Sequence, residues 1–186
     1  MRRGFKAEAE RLAARLRAEL DLRPSEAIDL GQLAKHIGVQ IRSADELVNR
    51  AALRRLEELQ PGCFSAATFH LPDGRIVAVT NPDASTEARR ASDLAHELAH
   101  ILLKHEIRQV HRVADFTFVD CDPEQEEEAN WLAGCLLLPR PLLLAAVRRG
   151  LTADDLAAAH GVSVKMASFR LNASGVYFQA GRRRAT

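Results

Sequence analysis

Apolar runs in this chain all fall far short of the ~20 residues needed to cross a bilayer as a helix. Cysteine is scarce: Cys63, Cys121 and Cys135 are odd in number and contain no C-x-x-C pair, which argues against a disulfide framework and points to a reducing cytoplasm. Excess charge is also missing. The formal net charge is +1, from 26 Lys and Arg against 25 Asp and Glu, so no overall field draws in nucleic acid or an anionic membrane. The first twenty residues mix Arg with Glu and hold no continuous apolar stretch, the wrong pattern for a signal peptide and too acidic for an organelle transit sequence. What is present is 186 residues, 47% hydrophobic and 27% charged, the balance of a soluble domain with its own core or of one with a small appended lobe.

The most informative stretch is His96-Glu97-Leu98-Ala99-His100. Residues four apart on a helix lie about 40° apart around its axis, so both imidazoles leave one face and can meet one divalent metal. Glu97 lies about 100° from His96, where its carboxylate can reach a water beside the metal without serving as a ligand. Ser85 and Thr86 offer N-cap oxygens, Glu87 sits in the first turn, and no Pro or Gly interrupts the segment through Leu103. The pattern fixes three uncommon residues, so coincidence is the poorer account. Catalytic zinc needs a third protein ligand and keeps one position for water.

Ahead of that helix, Phe5, Ala9, Leu12, Leu16 and Leu20 recur at helical spacing, with Glu8, Arg11, Arg15, Arg17 and Glu19 on the other faces. A short helix is expected from Asp29 to His36, closed by Gly38, then a brief strand over residues 39–42; His36 reads as a surface or capping residue. Residues 45–60 are helical in pattern and end at Pro61-Gly62. Residues 63–70 and 75–80 favour strands joined through Leu71-Pro72-Asp73-Gly74, a hairpin signal. The second of these reads as a buried strand, and an edge strand here could pair with an extended substrate. His105, nine residues from His96, falls half a turn round and is no co-ligand with it. His111 and residues 116–119 belong to a loop or short strand; His111 reads as a solvated histidine, with transition-state donor as its rarer role.

The third ligand is sought in residues 122–138, where Asp122 as N-cap, Pro123 at the first helical position and Gln125 announce a helix. Four glutamates in its first turns form, by default, a solvated acidic end. Stepping back four from Leu132, in the stripe of Trp131, Leu132, Cys135 and Leu138, gives Glu128. A carboxylate heading a buried stripe needs a partner for its charge, so Glu128 is the first choice, with Glu127 second; Glu124 and Glu126 lie toward the open end or the polar face. Further on, Pro139 and Pro141 stop the helix and another begins near Leu142. Residues 152–171 outline two short helices around Gly161, with Ser163 capping the second. Only Lys165 and Arg170 are basic on the would-be recognition helix, so DNA contact is possible but disfavoured.

On these residues the chain resembles the ImmA/IrrE family of bacterial and phage metallopeptidases. Gly4-Phe5-Lys6, His96 to His100, Glu128-Ala129-Asn130-Trp131-Leu132-Ala133 ahead of Leu136-Leu137-Leu138-Pro139, and Val162-Ser163 with Arg170-Leu171-Asn172 and Gly175 carry the likeness. Trp131-Leu132 departs from a more usual aromatic-Ala pair. The resemblance implies an α+β fold, mostly helical, with a zincin-like core, a small antiparallel or mixed sheet and a C-terminal helix-turn-helix-like lobe. The expected division is 1–148 for the catalytic domain, 149–175 for the lobe and 176–186 for a basic tail. Carried over by motif, His96, His100 and Glu128 hold Zn2+ and Glu97 is the base. The resemblance further implies a protein substrate, a transcriptional repressor of a mobile element or stress response. The rival expectation is a non-enzymatic regulator that binds a repressor or DNA through the C-terminal lobe.

Overall fold

The computed structural model describes residues 1–62, 64–83, 86–105, 109–113, 116–120 and 122–182. The sheet is organised by its most apolar segment. Strand β3 (Ile76–Thr80) lies between β1 (Val39–Ser43) and β2 (Ala66–His70), parallel to β1 with Ile41 opposite Ala78 and antiparallel to β2 with Thr68 opposite Ala78. Consecutive Val77, Ala78 and Val79 are all buried, so β3 is covered on both faces, as an unbroken apolar run requires. The hairpin signal is borne out. Gly74 takes φ +85°, and the Leu71 N–H donates to Arg75 O at 2.9 Å across the turn. β2 is left as a sheet edge.

Helix α1 (Phe5–Glu19) buries Phe5, Ala9, Ala13 and Leu16, close to the expected stripe. Arg17 differs from expectation. It is only 2% exposed, and its guanidinium donates to Cys135 O (2.8 Å), Leu136 O (2.6 Å), Ala13 O (3.0 Å) and Glu26 O (2.7 Å). The carbonyls at a helix C-terminus have no intrahelical donors, and Arg17 supplies them where water cannot reach. Burial lowers its pKa to about 10. Helix α2 (Leu30–His36) is capped by Asp29, which accepts from Gln32 N–H at 2.7 Å, and it ends before Gly38 at φ +73°. The helical pattern of 45–60 is split into α3 (Ala44–Leu47) and α4 (Arg50–Leu59), because the Asn49 side chain caps α4 by accepting from Ala51 N–H.

Helix α5 (Glu87–Leu103) packs against α6 (Pro123–Leu137), and small residues of both, Ala95 and Ala99 on one and Ala129 and Ala133 on the other, are buried in the same core. Small side chains at such a crossing let the two backbones approach. Helix α6 is a core helix, buried on nearly all of its surface from Glu128 onward. The segment between them forms strands β4 (Gln109–Val113) and β5 (Phe116–Asp120), paired antiparallel with His111 opposite Phe118. Helix α7 (Arg140–Arg148) starts at the prolines that end α6. It is followed by α8 (Ala153–His160) and α9 (Val164–Ala173), joined at Gly161 (φ +61°), with Ser163 accepting from Met166 N–H. Where a basic tail was expected from residue 176, the chain forms α10 (Val176–Arg182), because Val176 is fully buried. The fold is thus α+β, mostly helical, with a small mixed sheet. Among the described residues no single helix is long and apolar enough to cross a membrane.

Candidate metal centre

Thr86 caps α5 by accepting from Arg89 N–H, and the helix then runs without a break through both histidines. One turn apart, the His96 and His100 rings stand edge to face at 4.6 Å, with their Nε2 atoms 2.9 Å apart. From α6, the carboxylate of Glu126 spans the pair: Oε2 lies 3.2 Å from His96 Nε2 and Oε1 lies 3.3 Å from His100 Nε2. One donor atom from each residue lies within 4.8 Å of the others. Ligands about 2.0–2.1 Å from a tetrahedral ion sit about 3.3 Å from one another, so this triangle of two nitrogens and an oxygen fits one divalent cation. All three residues are half-buried, at the boundary where a cation can be held and still meet solvent.

Glu97 lies outside this triangle but close to His96 and Glu126, and its Oε2 accepts from the Thr68 hydroxyl of β2 at 2.7 Å. Burial raises its carboxyl pKa; the Thr68 hydrogen bond and His96 oppose that shift, while Glu126 and Asp93 add to it. Burial, with His96 and His105 close by, lowers His100 to about 4. The ring is therefore neutral, the form a cation requires.

Glu128, favoured from the apolar stripe, is buried as expected but turned elsewhere. Its Oε1 accepts from Arg2 N–H at 3.2 Å and pairs with Arg2 Nε at 3.3 Å, and its Oε2 lies 3.7 Å from His105 Nε2. These groups, rather than the triangle, offset its charge. Glu127, the second choice, is paired at 2.7 Å with the Met1 amino group. The stripe argument favoured the acid most buried on α6. The acid that the structure brings to the two histidines is Glu126, on the margin of the buried face. The available signal was Asn130, four residues on, a polar residue beside Trp131 at the same margin.

His105 does not lie half a turn round a continuing helix, because α5 ends at Leu103. Lys104 takes φ 53°, with its N–H on Ile101 O and the His105 N–H on His100 O, both at 3.0 Å. This paired closure of a helix end turns the chain back, so that His105 Nδ1 comes to 2.9 Å from His100 Nδ1. His36 pairs with Glu19 at the surface. The side chain of His111 lies outside the described residues.

The triangle opens into a cleft of about 770 Å³. Its far wall is α9, which contributes Lys165, Met166 and Phe169, and Phe169 meets Trp131 edge to face at 5.8 Å. Ser92 of α5 and Ser163, the cap of α9, are linked through their hydroxyls at 3.2 Å. Thr68 carries no motif, and although α9 was expected from the sequence, its place as a wall of the cleft was not.

Two histidines a turn apart on one helix, an acid from the next long helix and a second acid held to one side are the kind of donor set that metal-dependent hydrolases use. The comparisons agree with that class. Residues 34–172 match the model of the peptidase M78 family, the IrrE N-terminal-like domain, and the chain belongs to that family. No curated protein matches it.

Proposed function

We propose that the protein is a zinc-dependent endopeptidase that cuts a protein substrate, a helix-turn-helix transcriptional repressor, in the cytoplasm. The observation that carries the reading is the Glu126 carboxylate set across both imidazoles, with Glu97 beside them but outside the triangle. His96, His100 and Glu126 would hold the ion. When bound, zinc supplies Lewis acidity, polarising the scissile carbonyl and bringing the pKa of a water in its sphere toward ~7. Glu97 takes the proton from the attacking water and passes it to the leaving amine, and Thr68 holds the carboxylate in place for both transfers. The edge of β2 is suited to pairing with an extended substrate, which would bring the scissile amide past Glu97. The zincin-like description of the core follows from the same reading.

The C-terminal helices serve this function as the far wall of the cleft. The inward aspect of Lys165, Met166 and Phe169 favours contact with substrate over contact with DNA. The test is Glu97→Gln, with metal content measured beside cleavage of a repressor encoded next to the gene. Retained metal with cleavage reduced by ~10²-fold or more is expected. Unchanged cleavage would remove Glu97 from the mechanism, and tight binding of an uncut repressor by metal-loaded wild type would favour a non-enzymatic regulator.

A further inference from the structure

We propose that His105, hydrogen-bonded to His100 and backed by the Glu128 carboxylate, fixes the tautomer and ring angle of His100, making Glu128 a positioning residue behind the metal centre and not a ligand. The proposal rests on His96, His100 and Glu126 being the ligands. His100 has two ring nitrogens, and each is placed. Nε2 faces His96 and Glu126, while Nδ1 lies 2.9 Å from His105 Nδ1. Two ring nitrogens at that separation need one proton between them. With Nε2 given to a cation, the proton stays on His100 Nδ1 and is donated to His105 Nδ1. His105 then carries its own proton on Nε2, the atom that faces Glu128 Oε2 at 3.7 Å.

Every orientation in the chain Glu128–His105–His100 follows from that one commitment. Outer groups of this kind usually fix a metal-binding histidine through a carboxylate or a carbonyl directly. Here a second imidazole is interposed, and the closure at Lys104 is what delivers it. The side chains of His105 and Glu128 are 9% and 8% exposed, so water does not compete for these donors and acceptors. The other oxygen of Glu128 is occupied by Arg2, which stops the carboxylate from turning toward the cleft.

The test measures zinc affinity of the full chain by chelator competition, together with 15N spectra of the imidazoles. Glu128→Gln should weaken zinc binding about tenfold and His105→Phe about 10–100-fold, without abolishing it. His105→Asn should recover part of the loss, because its Oδ1 can still accept from His100 Nδ1–H. The double variant Glu128→Gln/His105→Phe should be no weaker than His105→Phe alone. The spectra of zinc-loaded wild type should show the proton on His100 Nδ1, and the metal-free Glu128→Gln variant should show a tautomer mixture. Wild-type binding that neither variant alters overturns the positioning role alone. Loss of all binding in Glu128→Gln with none in Glu126→Gln makes Glu128 the ligand and overturns both assignments. Absence of zinc binding by wild type overturns the ligand reading, and the positioning role with it.

Discussion

Replacing Gly134 by Ala should destabilise the protein, although alanine is the better helix former. Gly134 lies inside α6, where a Cβ would fall 2.9 Å from Arg170 Cγ and 3.3 Å from its Nε, and closer still to Cδ. Carbon atoms rest at about 3.5–4.0 Å, so the Arg170 side chain must move. It has no room to do so. Arg170 is 0% exposed, donates to Leu138 O from Nε (3.2 Å) and Nη2 (3.1 Å), and pairs with Glu10 at 2.8 Å. Overpacking at such a site costs roughly 1–3 kcal/mol, and a carbonyl left without its donor costs about 1–3 kcal/mol more. The helix preference for Ala over Gly returns about 1 kcal/mol, leaving a net loss of ~1–5 kcal/mol. Urea denaturation reads this directly, and in a domain of this size each kcal/mol lowers Tm by about 2–4 °C. Combining Gly134→Ala with Arg170→Ala should be markedly less harmful than the sum of the two, because the clash is gone. A Gly134→Ala variant as stable as wild type or more so, with Arg170 unmoved, would refute the close-approach account of this glycine.

Thr68→Val keeps the shape of the side chain and removes the hydroxyl that holds Glu97, so cleavage should fall about tenfold with zinc content unchanged, measured by peptidase assay and metal analysis. Arg17→Met removes the four hydrogen bonds of the buried guanidinium and should cost about 3–5 kcal/mol in urea denaturation, with Arg17→Lys recovering part. The Asp155 carboxyl is held below the usual carboxylate range by the backbone N–H of Thr152 and then by its hydroxyl. Its folded pKa is depressed, so its stabilising contribution is present above the unfolded value of ~3.9 and is lost as pH falls through the folded value. The stability gap between wild type and Asp155→Asn should accordingly close as pH drops below about 4, read by denaturation at pH 6 and pH 3.

The sequence alone determined the elements whose signals are local. The cap at Thr86, the uninterrupted helix behind it and the four-residue spacing put His96 and His100 on one face before any tertiary contact is considered. The Leu71–Gly74 turn, the buried run of β3, the start of α6 at Asp122-Pro123 and the pair of helices around Gly161 were legible for the same reason. Which glutamate of α6 meets the histidines was not. It depends on how α6 rotates against α5, and a helix buried on nearly every side has no single stripe to report that rotation. The same holds for Arg17, whose charge reads as a surface residue until the end of α6 is laid beside it. His105 depended on a lysine adopting a left-handed conformation, which sequence does not announce. Local chemistry put the two histidines on one face. The crossing of two helices decided which carboxylate meets them, because orientation about a helix axis is a property of the partner as much as of the helix.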